Sequence, residues 1–297
     1  MLPFHVLDVF TRRAYAGNPL AVVLQAGGLS DSQMQAIARE FNLSETIFVR
    51  PPADPAHTVA VRIFTPQAEL PFAGHPTIGC AILLADRATD AGTADTVITF
   101  EQAAGLVAVT VTRTDGATVA ELTAPVIPHP HPGLAEPERI AAALGLPLAA
   151  LDLPGHRPGF FAGGPAFLFV PLVNATALAM ARPHEPHWSA LVQPVPTGAA
   201  YLYTPGNGTD WQARLFAPGS GIAEDPATGS ATAILAAQLL ACNALPDGTS
   251  RHTILQGAEM GRPSDLLMTA DVAGGRLMAV RVAGSAVRIA EGRIAPP

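Results

Sequence analysis

The sequence predicts an α+β fold of two similar domains, each with strands arranged around a buried central helix. Three observations lead to this prediction. The chain has 297 residues, which is more than a single hydrophobic core usually supports. Strand-like segments are more frequent than helix-like segments. A pattern of strand, proline turn, loop and apolar helix occurs twice along the chain.

Strands are predicted where apolar and β-branched residues alternate with other residues between clusters of Gly, Pro and Asp. These segments are residues 4–10, 46–50, 59–64, 96–100, 106–112, 167–172, 200–203, 211–216 and 277–289. Their distribution over both halves of the chain favours a fold dominated by sheet.

Helices are predicted from capping signals and from the helical spacing of apolar residues. Ser30-Asp31-Ser32-Gln33 has the pattern of a capping box and begins a helix that extends to about Phe41. Pro76 suits the first turn of a second helix. A third helix, from about Gly229 to Cys242, is apolar on nearly every side, which predicts a central, buried position. Shorter helices are predicted near residues 136–144 and 188–192.

The two copies of the repeated pattern match at a constant spacing. Arg62-Ile-Phe-Thr-Pro66 matches Arg214-Leu-Phe-Ala-Pro218, and Ala81-Ile-Leu83 matches Ala233-Ile-Leu235. Between the matched segments, each copy has a loop that leads into an apolar helix. This repetition predicts two copies of one domain. The Pro- and His-rich residues 125–137 lack periodicity and mark the main boundary between the copies.

Each copy has small and polar residues where its central helix begins. The first copy has Gly74-His-Pro-Thr77 there, and the second has Asp225-Pro-Ala-Thr-Gly-Ser230. Free backbone N–H groups and the positive end of the helix dipole favour anions at such positions. Both loops are therefore candidates for holding a small carboxylate. On the residues alone, the alternative is that they only cap their helices.

Glu45 is the candidate general base. It lies in Asn42-Leu-Ser-Glu-Thr-Ile-Phe48, at a turn between the first helix and an apolar strand. Desolvation beside an apolar strand favours the protonated form of a carboxyl group, which suits proton transfer near neutral pH. A solvated turn glutamate is the alternative. His75 and Asp225 also have structural alternatives, as a half-buried histidine and a helix-capping aspartate.

Other functional classes find little support in the sequence. The net charge of −7 provides no basic surface for nucleic acid or for anionic membranes. There is no phosphate-binding glycine loop and no metal-ligand spacing of His and Cys, so we expect no cofactor and no metal. The absence of a nucleophile elbow argues against nucleophilic hydrolysis. Cys80 and Cys242 are expected to be small buried side chains. The first residues do not resemble a signal peptide, which predicts a cytoplasmic protein. Because no basic surface is expected, a small molecule is the expected partner.

Several short motifs follow one another in order along the chain. They are Asp8-Val-Phe-Thr11, Gly17-Asn-Pro-Leu20, Ser44-Glu-Thr46, Gly74-His-Pro-Thr77 and Asp225-Pro-Ala-Thr-Gly-Ser230. In order and spacing they resemble the PhzF-like family of phenazine biosynthesis, which is related in fold to diaminopimelate epimerase. The resemblance implies two domains, each a mixed, mostly antiparallel sheet or barrel around a central helix. The expected limits are 1–120 with C-terminal strands at about 280–297 for the first domain, and 121–279 for the second.

The resemblance also implies roles for the candidate residues. Glu45 would remove a proton from a substrate carbon and return it elsewhere on the same molecule, while His75 and Asp225 would position and polarise the substrate. The other implied substrate-binding residues are Ser44, Gly74, Gly229 and Ser230. The implied reaction is a cofactor-independent isomerisation of a cyclic carboxylic acid similar to trans-2,3-dihydro-3-hydroxyanthranilate, and a homodimer is the implied assembly.

Two other functions stay open at this point. One is a small-molecule-binding protein of the same fold with little turnover, although the joint presence of Glu45, His75 and Asp225 argues against it. The other is a racemase or lyase that uses the same base on another substrate. Epimerases of related architecture have a cysteine at the start of each helix loop, and the corresponding residues here are Ala73 and Ala227. Racemisation by two thiols is therefore disfavoured.

Overall fold

The structure of the chain is a computed structural model that describes residues 1–88, 95–114 and 117–297. Its strands are β1 (Leu2–Val9), β2 (Asn18–Val23), β3 (Glu45–Arg50), β4 (Val59–Phe64), β5 (Glu69–Leu70), β6 (Thr96–Gln102), β7 (Gly105–Thr114), β8 (Ala117–Thr123), β9 (His129–Pro130), β10 (Gly159–Ala162), β11 (Ala166–Pro171), β12 (Ala200–Pro205), β13 (Trp211–Ala217), β14 (Ile222–Asp225), β15 (Gly248–Gln256), β16 (Ser264–Ala273) and β17 (Arg276–Ile294). Its α-helices are α1 (Asp31–Phe41), α2 (Gly74–Arg87), α3 (Pro137–Leu144), α4 (Ala175–Met180), α5 (His187–Val192) and α6 (Gly229–Ala241). The chain forms two units, which we call the first unit (Met1–Thr123 with Ala283–Pro297) and the second unit (Ala124–Val282).

Helix α1 begins at the predicted capping box. The Ser30 hydroxyl accepts the backbone N–H of Gln33, and the Gln33 side chain accepts the N–H of Ser30 in return. The helix ends at Phe41, and Asn42 follows in the left-handed conformation with a φ of 50°. This turn directs the chain into β3, whose first residue is Glu45.

The sheet of the first unit is mixed and mostly antiparallel. β17, β1 and β2 are antiparallel neighbours, β2 runs parallel to β3, and β3 is antiparallel to β4. β4 then runs parallel to β6, which is followed by antiparallel β7 and β8. Helix α2 contacts β1, β2, β3, β6, β7 and β8, and most of its residues are buried. The strands of this unit therefore surround α2.

The second unit repeats this arrangement. β9, β10 and β11 are antiparallel neighbours, β11 runs parallel to β12, and β12 is antiparallel to β13. β13 runs parallel to β15, which pairs antiparallel with β16. Helix α6 contacts β9, β10, β11 and β16 and is buried along nearly its whole length. The predicted α+β fold class, with a mostly antiparallel sheet around a central helix in each half, is confirmed.

The repeated sequence segments occupy equivalent places in the two units. Arg62 lies on β4 and Arg214 lies on β13. Each of these strands pairs with a short antiparallel strand, β5 or β14, that precedes the central helix. The sequence repeat therefore corresponds to a repeat of structure.

Some predicted boundaries need correction. The first strand ends at Val9 and excludes Phe10, which has a left-handed backbone with a φ of 62°. The third predicted helix ends at Ala241, and Cys242 is its C-cap. The strands and the helix that the sequence did not predict are β2, β5, β8, β9, β10, β14, β15, β16 and α4. Within the described ranges, no helix has the length and apolar character needed to cross a membrane.

Replacing Gly79 by Ala is expected to destabilise the protein, because Gly79 lies in α2 where the helix meets the sheet. An added Cβ would stand 2.6 Å from Val9 Cγ2 and 2.7 Å from Leu20 Cδ2. Such overpacking costs about 1–3 kcal/mol, which exceeds the roughly 0.5–1 kcal/mol that Ala gains over Gly in a helix. In urea denaturation, the free energy of unfolding of Gly79→Ala should be about 1 kcal/mol lower than that of the parent protein. Exposed Gly28, whose added Cβ meets no atom within 4 Å, is the control, and an equal loss in Gly28→Ala would contradict the packing argument.

Candidate active site

Glu45 and His75 lie next to each other in the first unit. Glu45 is the first residue of β3 and stands opposite Leu20 in the parallel pairing of β2 with β3. Its Oε2 atom is 3.4 Å from Nδ1 of His75, and the two side chains are 14% and 5% exposed. The structure therefore places the carboxylate of Glu45, which is partly exposed to solvent, beside the buried imidazole of His75.

His75 is the second residue of α2 and is held in its neutral form. Burial lowers the pKa of His75 to about 3, although a hydrogen bond with the backbone of Pro19 acts in the opposite direction. The Asn18 amide nitrogen lies 3.4 Å from Nδ1. Nε2 is buried and bonds to none of the residues that the structure describes. A neutral imidazole in this position can exchange a hydrogen bond or a proton with a bound molecule.

The start of α2 adds backbone groups to this part of the first unit. Gly74 is buried, and the preceding N-cap residue Ala73 makes no side-chain capping bond within the described chain. The N–H groups of the first helical turn have no partner inside the helix itself. Ser44 is half-buried and directly precedes Glu45. Ser44 precedes β3, Glu45 begins it, and Gly74 and His75 begin α2, which contacts β3, so these four candidates belong to one unit.

The other three candidates lie together in the second unit. Asp225 is buried at the end of β14, and Gly229 and Ser230 are the first two residues of α6. Thr228 occupies the N-cap position, and its hydroxyl donates to Oδ2 of Asp225. Asp225 is therefore not the N-cap residue, because it stands three positions before Thr228.

Three amide side chains that were not predicted as site residues contact the candidates or other residues of the same motifs. The Asn18 amide lies close to the His75 ring, and in the sequence Asn18 is marked only by its place in the Gly17-Asn-Pro-Leu20 motif. Gln102, the last residue of β6, donates to the Thr77 hydroxyl at 2.9 Å. Gln256, the last residue of β15, bonds to the segment before α6. The constant spacing of the repeat does not reveal the two glutamines as a pair, because it places Gln102 on Ile254 and not on Gln256.

The two cysteines stand away from the helix starts. Cys80 is buried within α2, and burial raises the pKa of its thiol. Cys242 follows the C-terminal end of α6 and is half-buried, which corrects the expectation that it is fully buried. In the described part of the chain, no group of three or more His, Cys, Asp or Glu side chains could hold a metal ion.

The lowered pKa of His75 predicts a specific loss of stability in acid. The folded-state value of about 3 lies below the unfolded value of 6.5, so unfolding takes up a proton below pH 6.5. The stability that His75 contributes is complete above pH 6.5 and is lost as the pH falls toward 3, at about 1.4 kcal/mol per pH unit. The free energy of unfolding, measured by urea denaturation, should fall between pH 7 and pH 5 in the parent protein. In His75→Gln this fall should be about 2 kcal/mol smaller. Equal losses in the two proteins would refute this assignment.

Comparison with known proteins places the chain in a family. The model of the phenazine biosynthesis-like protein family matches residues 7–292. An uncharacterized isomerase of Mesorhizobium japonicum is 43% identical over 293 residues, which are 97% of this chain and 96% of the relative. A trans-2,3-dihydro-3-hydroxyanthranilate isomerase of Pseudomonas aeruginosa is 39% identical over 290 residues, which are 97% of each chain. A solved PhzF-family structure from Bacillus anthracis, 24% identical, has the same fold with a TM-score of 0.87 over 99% of each chain. The match along nearly the whole sequence shows that the chain belongs to the phenazine biosynthesis-like protein family.

Proposed function

We propose that this isomerase moves a proton between two carbons of a small cyclic carboxylic acid similar to trans-2,3-dihydro-3-hydroxyanthranilate, with Glu45 as the acid and base. The observation that carries the proposal is the 3.4 Å approach of the Glu45 carboxylate to the neutral imidazole of His75, beside the start of α2. The relative from Pseudomonas aeruginosa, whose name states this substrate, supports the choice of substrate class.

The proposed reaction is a proton shift that balances without a cofactor. The Glu45 carboxylate takes a proton from a saturated ring carbon, and the electron pair of that C–H bond moves into the conjugated system. The protonated Glu45 then gives the proton to a second carbon, whose new C–H bond uses an electron pair from the same system. No atom or electron leaves the molecule. One carboxylate can perform both steps on one face of a planar substrate.

The remaining candidates are assigned to substrate binding. The first turns of α2 and α6 carry backbone N–H groups, at Gly74 and at Gly229 and Ser230, that suit a carboxylate. Ser44 and Asp225 would bind polar groups of the ring, and His75 would bind one through Nε2. The roles of Gly74, His75, Gly229 and Ser230 are supported by their positions in the first turns of α2 and α6.

A thiol-based racemisation finds less support than proton transfer by Glu45. Cys80 is buried inside α2, where burial keeps its thiol protonated, and Cys242 stands at the opposite end of α6 from Gly229. A thiol must be ionised to act as a base or nucleophile. The carboxylate of Glu45 is the better candidate because it is partly accessible and adjacent to a helix start.

The direct test is to incubate the protein with trans-2,3-dihydro-3-hydroxyanthranilate in deuterium oxide. We expect an isomer of unchanged composition, with deuterium at the carbon that receives the proton if Glu45 exchanges with solvent during turnover. Proton NMR would follow the disappearance of the substrate C–H signal and the position of the label. If the protein neither converts this compound nor exchanges its C–H protons for deuterium, the compound is not its substrate.

The mass of the product and a thermal shift measurement distinguish the proposed isomerase from a lyase and from a binding protein. A lyase would release water or another small molecule, which the mass of the product reveals. A binding protein would raise its melting temperature with small carboxylic acids without exchanging any of their C–H protons for deuterium. Formation of an isomer that has lost no water or other small molecule, and whose mass differs from that of the substrate only by deuterium taken up, supports the proposed function against both.

The assembly and pathway remain predictions of this proposal. A homodimer would show twice the chain mass in light scattering, and a monomer would contradict it. A role in phenazine biosynthesis requires turnover of the named substrate, because that compound is the link to the pathway.

A further inference from the structure

Gln256 is a fully buried side chain that bonds to both ends of the segment between β14 and α6. Its Nε2 donates to the carbonyl oxygen of Asp225 at 2.8 Å and to the Thr228 hydroxyl at 3.1 Å. Its Oε1 accepts the backbone N–H of Thr228 at 3.1 Å. A single amide thus fixes Asp225 and the N-cap residue of α6 in relation to the end of β15.

These bonds also orient the Thr228 hydroxyl. A hydroxyl has one proton to donate, and the amide of Gln256 donates to one of its lone pairs. The proton of Thr228 is therefore directed to its other neighbour, Oδ2 of Asp225. Gln256 acts on the Asp225 carboxylate through this hydroxyl as well as through the Asp225 backbone.

The backbone after Gln256 is packed tightly against the same segment. Gly257 has a φ of 75°, and an added Cβ would stand 2.6 Å from the carbonyl oxygen of Pro226 and 2.9 Å from its Cα. Only glycine fits this left-handed position without displacing the backbone of Pro226. The end of β15 and the Asp225–Thr228 segment are therefore held at a fixed, short distance.

The first unit contains a related arrangement, in which the threonine is Thr77, the fourth residue of α2, whereas Thr228 is the N-cap residue of α6. Gln102 ends β6, the strand that follows α2, as Gln256 ends the strand that follows α6. Gln102 donates to the Thr77 hydroxyl at 2.9 Å, and Thr77 donates to the carbonyl of the N-cap residue Ala73 at 2.7 Å. In both repeats a strand-end glutamine therefore bonds through a threonine hydroxyl to the start of the central helix.

We propose that Gln256 is a positioning residue for the isomerisation, because its amide sets the orientation of the Asp225 carboxylate and keeps the start of α6 in place for the substrate. This inference rests on the proposed function, in which Asp225 binds a polar group of the substrate. The hydrogen bonds described above for Gln256 go to Asp225 and Thr228, so we assign its effect on turnover to these two residues.

The test compares Gln256→Met with Gln238→Met. Gln238 is a second fully buried glutamine of the same unit, near the other end of α6, and its Nε2 donates to the Arg157 carbonyl at 2.7 Å and to the Tyr203 hydroxyl at 2.9 Å. Both variants lose buried hydrogen bonds and keep a side chain of similar length. We expect Gln256→Met to lower kcat about tenfold or more, while Gln238→Met keeps kcat within about twofold at a similar loss of melting temperature. Equal kcat in the two variants would overturn the proposal.

A readout that does not require turnover is the exchange of the Thr228 amide proton, which bonds to Gln256. We expect about tenfold faster exchange in Gln256→Met and unchanged exchange in Gln238→Met. Unchanged protection in Gln256→Met would overturn the positioning role. If the parent protein fails to convert the substrate, the proposed function fails, and amide exchange still decides whether Gln256 holds the segment.

A second variant, Gln256→Glu, tests the proposal even if Gln256→Met does not fold. Its carboxylate still accepts the Thr228 amide but donates to neither the Asp225 carbonyl nor the Thr228 hydroxyl until it is protonated. We expect the ratio of its kcat to that of the parent to rise as the pH is lowered from about 8 to about 5.5, because a buried carboxyl group takes up a proton in this range. A flat ratio would overturn the proposal, since loss of packing alone carries no such pH dependence.

Discussion

Replacing Glu45 by Gln is expected to lower kcat at least about a hundredfold, the usual contribution of a general acid or base. The amide preserves the shape of the side chain and its place beside His75, but it cannot take up and return a proton. Substrate binding should change much less than kcat, because the helix starts and Asp225 are untouched. Steady-state kinetics with trans-2,3-dihydro-3-hydroxyanthranilate would measure kcat and KM, which report on turnover and on substrate binding.

The control for this substitution is Glu40→Gln. Glu40 is an exposed carboxylate on α1, so its replacement changes the net charge equally without touching the candidate site. We expect kcat within about twofold of the parent, since surface substitutions of this kind perturb a protein little. Near-parental kcat in Glu45→Gln would exclude Glu45 as the base, and another group would have to move the proton.

The predicted helices agree well with the structure because their signals are local. The capping box at Ser30 and the all-round apolar pattern after Gly229 each determine a helix within a dozen residues. Strand β2 escaped prediction because Asn18 and Pro19 indicate a turn, although the strand pairs with β1 and β3. Strand β15 escaped because most of its side chains are at least partly exposed, and it depends on hydrogen bonds to β16 for its stability.

The candidate site shows the same division between local and distant information. Glu45, His75 and Asp225 could be selected from short motifs, and their local contexts also permitted purely structural roles. The contact of Asn18 with His75 joins residues 57 positions apart, and that of Gln256 with Asp225 joins residues 31 apart. Such contacts follow from strand pairing and from the packing of the central helices, which no single segment encodes.

The repeat contains an arginine pair whose environments differ between the two units. Arg214 is buried, binds both carboxylate oxygens of Glu224 at 2.7 and 2.8 Å, and donates to backbone carbonyl oxygens at the end of α4. Arg62 binds both oxygens of Glu69 and also pairs with exposed Asp31. The Arg62 side chain is 20% exposed, against 3% for Arg214. Equivalent positions thus carry one buried and one partly solvated ion pair.

Arg214→Met is expected to lower the free energy of unfolding by about 3–5 kcal/mol, because it leaves the Glu224 carboxylate and the α4 carbonyls without their charged partner in a buried site. The matched control, Arg62→Met, should cost about 1 kcal/mol or less, since water can solvate Glu69 and Asp31. Urea denaturation of both variants at pH 7 measures the difference. Adding Glu224→Gln to Arg214→Met should restore part of the loss by removing the unpaired charge. If both arginine variants lose equal stability, burial of the Arg214 pair does not determine its contribution, and packing over Phe216 or Phe64 would have to explain both losses.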